Sequence, residues 1–190
     1  MSLFPARYSV RRKLLYLLSP KFRIVALDGA LVGYGKQAAF RLHEDIRVYF
    51  DERMDRELLV ARARDIIDFS AAYDVEDSAT GRRCGTWRRK GFSSLVRDAW
   101  ELSVDGVVVA HLREDNLALA LVRRFLFNLI PQSYALVAED GEILATYSQR
   151  FNPFLFTLDV ENRRPDDKRL ERLVAAGGVL LAAIEGRQRR

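Results

Sequence analysis

Few residues in this chain have the types and spacing that chemistry needs. The stretch "GALVGYGKQ", Gly29 to Gln37, brings glycines and a lysine together in the manner of a phosphate-binding loop. The interval from Gly29 to Gly35-Lys36 is one residue too long for that loop, and Gln37 stands where a Ser or Thr would hold magnesium. The stretch also reads as a strand and not as the start of a helix. Its glycines are therefore expected to relieve crowding on a sheet.

His43 and His111 are the only two histidines, and neither has a Cys, Asp or Glu at ligand spacing within a metal motif. Cys84 is the single cysteine, so no disulfide can form within the chain, and no fixed histidine partner activates it as a nucleophile. The carboxylates of "YDVEDS" and "RED" lie close together without EF-hand periodicity. No set of nucleophile, base and oxyanion donors assembles. The expectation is a protein with no catalytic residues, no metal and no cofactor.

Basic residues are a different matter. Arg11-Arg12-Lys13, Lys36, Arg62 and Arg64, Arg88-Arg89-Lys90, Arg113 and Arg150 recur along the chain, and most close a short apolar stretch. Their meaning depends on the elements that carry them. An apolar pair spaced by one residue recurs six times, at Phe22-x-Ile24, Ile46-x-Val48, Tyr73-x-Val75, Trp100-x-Leu102, Tyr134-x-Leu136 and Phe156-x-Leu158. This is the two-residue period of a half-buried strand. Turn signals follow most copies: Asp28-Gly29, Asp51-Glu52, Thr80-Gly81, Asp105-Gly106 and Asp140-Gly141. In an Asp-Gly hairpin both central positions favour positive φ. A second strand follows each turn, ends in basic residues and passes into an apolar connector such as "LLYLL", "AAFRL", "FSSLV" or "FNPFLF".

Two strands per unit give about twelve antiparallel strands, enough for a sheet to curl or close. A barrel of more than about 8 strands needs something inside it. The C-terminal segment suits that place. Pro165, Asp166 and Asp167 mark the start of a helix, and Gly186 is positioned to end it. From Leu173 to Ile184 the helix is apolar on every face, which calls for complete burial, and Val174, Leu181 and Ile184 are expected inside the barrel. Glu171 and Arg172 at one end, with Glu185 and Arg187 at the other, are expected at the mouths. The predicted organisation is one domain over 1–190: barrel strands over 8–164 with a bridging helix near 116–130, a central helix over 166–186 and a basic tail over 187–190.

The apolar run is too short for a membrane span of roughly 20 residues, and the N-terminal "LLYLL" is too short for a secretory signal. Of the formal charge of +5, the tail residues Arg187, Arg189 and Arg190 supply three, leaving 5 − 3 = +2 for the body. No interleaving of basic and aromatic residues matches a nucleic-acid-binding signature. The expectation is a cytoplasmic protein, met by a membrane only at its periphery.

In order along the chain, "YSVRRKLLYLLSPKFRIVALDG", "VYFDE", "ARDIIDFSAAYDVED", "RRKGFSSLVRDAWEL", "LVRRFLFNLIPQSYALV" and "FNPFLFTLDV", then an apolar helix, resemble the LURP-one-related and phospholipid scramblase-like group. That group is similar in fold to the tubby C-terminal domain, and the resemblance runs from about Tyr8 to Gly186. It implies a twelve-stranded barrel around a hydrophobic C-terminal helix. It also implies a binder of anionic phospholipid headgroups that uses basic residues of the barrel wall. Scramblases carry an acidic calcium segment before the final strand; here Thr146 to Arg150 bring no carboxylate, so the resemblance stops short of calcium.

Equivalent strands of successive hairpins run in the same direction, so their basic ends are expected to converge on one rim. Arg88, Arg89, Lys90, Lys13 and Lys36 are the expected lipid-binding residues, with the run on Arg88 to Lys90 the densest. The alternative is a scaffold for an unknown protein partner, with no lipid ligand.

Overall fold

The computed structural model describes residues 2–13, 21–37, 45–67, 70–90, 100–114, 132–152 and 154–188. Its first six strands are β1 (Arg7–Lys13), β2 (Lys21–Ala26), β3 (Leu31–Gln37), β4 (Ile46–Tyr49), β5 (Glu57–Ile67) and β6 (Ser70–Asp77). The second six are β7 (Arg82–Arg89), β8 (Trp100–Val104), β9 (Val107–Glu114), β10 (Ser133–Ala138), β11 (Ile143–Arg150) and β12 (Leu155–Asn162). Each strand pairs antiparallel with its neighbours in sequence, and β12 returns to β1, closing a twelve-stranded barrel. Closure leaves no unpaired edge to aggregate. Among the described residues one helix, α1 (Lys168–Gln188), follows β12. The bridging helix expected near 116–130 falls outside the described residues.

All six apolar pairs of the sequence repeat lie on even-numbered strands, and all twelve of their side chains are buried. The two-residue period sends both members of a pair to one face. They join the buried residues of the C-terminal helix in one core cluster. The turns are less uniform than Asp-Gly alone suggests. Only at Asp105-Gly106 do both central residues take positive φ, 53° and 85°. At Gly29, Gly81 and Gly141 the glycine alone does so, and the flanking pairs shift register by one residue. These are longer loops, in which a glycine after the tight turn absorbs a bulge.

Every residue of α1 from Leu173 to Ala183 is buried. Val174 is 0% and Leu181 3% exposed; the side chain of Ile184 lies outside those described. Asp167 caps the start, its carboxylate accepting the N–H groups of Arg169 and Leu170 at 2.9 Å each. The helix runs two residues beyond Gly186, to Gln188, so that glycine does not end it. A glycine stops a helix only where the chain turns left-handed, and here the backbone continues helical.

The wall grips the helix through its backbone. The Trp87 indole N–H donates to the Leu173 carbonyl at 2.9 Å, and the Tyr147 hydroxyl donates to the Val174 carbonyl at 3.2 Å. A carbonyl has two lone pairs, so each oxygen can serve the wall as well as the helical ladder. Burial holds the Tyr147 phenol protonated far above its ordinary range, which keeps it a donor. Gly177 makes room for both contacts: a Cβ there would lie 2.7 Å from Trp87 Cζ2 and 2.9 Å from the Tyr147 hydroxyl.

Glu171 and Arg172 do not stand free at a mouth. Glu171 is 2% exposed and accepts the backbone N–H of Phe4 at 2.7 Å together with the Ser2 hydroxyl. Arg172 forms an ion pair with Asp77 at the end of β6. The N-terminal segment therefore lies across this mouth, with Phe4 buried beside Tyr8 and Gly33. Covering a carboxylate in this way requires donors aimed at it, and these come from residues far away in sequence.

Candidate functional site

The two ends of the barrel differ. Odd strands end where even strands begin, at Lys13/Lys21, Gln37/Ile46, Ile67/Ser70, Arg89/Trp100, Glu114/Ser133 and Arg150/Leu155. The tight turns and the start of α1 occupy the opposite end. All five lipid-binding residues expected from sequence, Lys13, Lys36, Arg88, Arg89 and Lys90, thus belong to one end. They do not belong to one patch. Lys13 and Lys36 sit on β1 and β3, whereas the other three sit on or just after β7, six strands from β1 in either direction.

The surroundings of the two groups are unlike. Lys90 is bound to Glu101 of β8, and Arg89 is half-buried. Arg88 is exposed, directly opposite Glu101 in the strand register. On the same wall Arg62 pairs with Glu76, and Arg64 and Arg83 both pair with Asp74. His111 contacts Glu139 at 2.8 Å and Glu101 at 3.7 Å, so it is a wall residue among carboxylates. This side of the barrel is electrostatically balanced.

The β1–β4 side is not. Lys21 of β2 stands directly opposite Lys36 of β3, and Lys36 directly opposite Arg47 of β4. Arg11 of β1 stands directly opposite Arg23 of β2. Through Thr157 of β12, the row of Arg11 continues to Arg150 of β11. Arg47 is held by Glu57 at 2.7 Å, Arg23 by Glu52 at 3.4 Å, and Arg150 by Asp159. Arg11, Lys21 and Lys36 have no ion pair among the described residues, and both lysines are exposed. Like charges directly opposite on adjacent strands are destabilising, so an anion laid across Lys21 and Lys36 would relieve repulsion that the fold leaves in place.

Sequence reasoning missed Lys21, Arg23 and Arg47 because their convergence depends on cross-strand register. It also grouped Arg12 with the rim, and here the structure corrects it. Arg12 is 1% exposed and points into the barrel, donating to the carbonyls of Ala182 and Ala183 at 3.0 and 3.1 Å. Its parity is that of Phe22 and Gly35, inward, so it serves the helix and not the surface.

The remaining chemistry-bearing groups are occupied elsewhere. Cys84 is buried, and desolvation pushes its thiol above the ordinary range, away from the reactive thiolate. A cavity of about 330 Å³ beside the Asp105-Gly106 turn is lined by Arg64, Arg83 and Arg169. Those guanidinium groups are already engaged by Asp74 and Asp105. Among the described residues, no three His, Cys, Asp or Glu side chains converge as metal ligands, and no helix is long and apolar enough to cross a membrane. The chain matches no family model, no curated protein and no solved structure.

Proposed function

We propose that this protein is a non-catalytic barrel domain that docks on anionic phospholipid headgroups through the end where Lys13, Lys21 and Lys36 emerge. The observation that carries the reading is the pair Lys21 and Lys36, directly opposite on β2 and β3 and without an ion pair among the described residues, with Arg11 on the neighbouring row. A closed barrel around a helix also agrees with the resemblance to the LURP-one-related and scramblase-like group, although architecture by itself assigns no ligand. Arg88, Arg89 and Lys90 take a secondary part in this reading, because Glu101 already engages Lys90. The reading makes the protein a peripheral, cytoplasmic visitor to the bilayer.

Sedimentation with vesicles tests it. The protein should co-sediment with phosphatidylglycerol/phosphatidylcholine vesicles at low salt and stay in solution with phosphatidylcholine alone. Each basic residue near an anionic surface contributes about 1 kcal/mol, so replacing Arg11, Lys21 and Lys36 together by Ala should weaken binding roughly 100-fold. The same variant should be at least as stable as the parent, since it removes like-charge repulsion. Replacing Arg88, Arg89 and Lys90 should weaken binding less. Salt should weaken binding as the Debye length falls below about 8 Å. Binding that ignores both salt and the first triple substitution would contradict the proposal. Absence of vesicle binding would favour a protein partner, for which exposed Leu27 and Val107 at the tight-turn end offer apolar contact.

A further inference from the structure

Beside the cationic row, the turn between β11 and β12 presents two bare aromatic side chains. Phe151 is 52% and Phe154 72% exposed. Exposed apolar residues scattered singly call for no explanation, but these two share one short turn. Within it the Asn152 side-chain oxygen accepts the N–H groups of both Phe154 and Leu155 at 2.9 Å. Phe50, the other strongly exposed aromatic among the described residues, has the Arg56 guanidinium 5.4 Å from its ring centre. Neither Phe151 nor Phe154 stacks on another ring among the described residues.

Basic positions border the pair: Arg150, itself bound to Asp159, precedes Phe151, and Leu155 stands directly opposite Lys13 in the register with β1. An aromatic pair bordered by basic positions has the chemistry of an interfacial anchor, in which Phe enters the boundary between headgroups and acyl chains while Lys and Arg meet phosphate. A solvated turn would gain nothing from holding two phenyl rings outward, because each leaves apolar area in water.

We infer that Phe151 and Phe154 insert into the anionic bilayer and anchor the barrel after the cationic row has drawn it there. This inference rests on the lipid-docking reading above and adds a contact that salt does not screen. The geometry makes Arg11, Lys21 and Lys36 the source of attraction and the Asn152 turn the source of retention.

The test replaces Phe154 by Trp and measures fluorescence with phosphatidylglycerol/phosphatidylcholine vesicles whose acyl chains carry bromine at a shallow position. Trp87 and Trp100 are 1% and 2% exposed inside the barrel, so quenching reports the new residue. A blue shift and strong quenching on binding are expected, and Phe151→Trp should behave alike. The double variant Phe151→Ala/Phe154→Ala should still bind at low salt. Once salt has cut the Debye length to about 3 Å, it should bind at least about tenfold more weakly than the parent. Binding at low salt with no quenching of either tryptophan would overturn insertion and leave electrostatic docking standing. No vesicle binding by the parent at either salt would overturn both.

Discussion

Val174→Asp is expected to abolish folding, with the chain recovered only in aggregates. Val174 is 0% exposed at the point where Tyr147 of the wall grips the helix. The carboxylate would be enclosed in the barrel's core cluster, which is built of buried apolar side chains. An unpaired buried charge costs several kcal/mol or forces protonation at similar expense. A domain's whole stability is about 5–15 kcal/mol. The same change at Leu181 should act alike. Soluble yield and far-ultraviolet circular dichroism decide the matter, and a soluble Val174→Asp protein with the parent's melting temperature would place α1 outside the barrel.

The second large effect concerns one methyl group. Gly177→Ala adds helix propensity worth about 1 kcal/mol. It also sets a Cβ 2.7 Å from the Trp87 ring and 2.9 Å from the Tyr147 hydroxyl, both on fully buried side chains. Overpacking of this kind costs up to about 3 kcal/mol, so the net loss should be about 2 kcal/mol. Gly178→Ala is the control. Its Cβ would meet methyl groups of Val10 and Val160 at 3.3 Å, which can yield by a few tenths of an ångström, and Tyr147 Cε1 at an ordinary 3.7 Å. Urea unfolding should find Gly178→Ala near the parent and Gly177→Ala well below it. Equal effects at the two sites would show that the wall does not read the helix backbone at Gly177.

Local chemistry was legible in the sequence wherever a side chain's fate depends on its own neighbours. The period-two pairs from Phe22-x-Ile24 to Phe156-x-Leu158 announced the inward face of every even strand. The uncharged run from Leu173 announced a buried helix, because no exposed or one-sided helix has that pattern. What stayed hidden depends on long-range register. The covering of Glu171 at its mouth was hidden because nothing near it in sequence indicates that Ser2 and Phe4 lie over it. Arg12 read as a rim cation because it lies within the run of charge Arg11-Arg12-Lys13, while strand parity turns Arg12 inward. Gly186 read as a stop because its type permits one, although the helix continues.

The candidate site shows the same division. The density of Arg88-Arg89-Lys90 was visible as a run of charge, and its partial neutralisation by Glu101 of the adjacent strand was not. Lys21, Lys36 and Arg47 lie far apart along the chain, and only the pairing of β2, β3 and β4 aligns them. That pairing is set by inward packing of Phe22, Ile24, Ile46 and Val48, all buried. The lining thus dictates which cations face one another on the outside.

Backbone hydrogen exchange with and without phosphatidylglycerol-containing vesicles tests the central claim most directly, because it reports which end of the barrel meets the bilayer. Slower exchange is predicted at the start of β2 around Lys21 and in the turn holding Phe151, Asn152 and Phe154. No change is predicted at the Asp28-Gly29, Asp105-Gly106 and Asp140-Gly141 turns of the opposite end. Protection confined to those turns, or exchange that vesicles leave unaltered throughout, would contradict it.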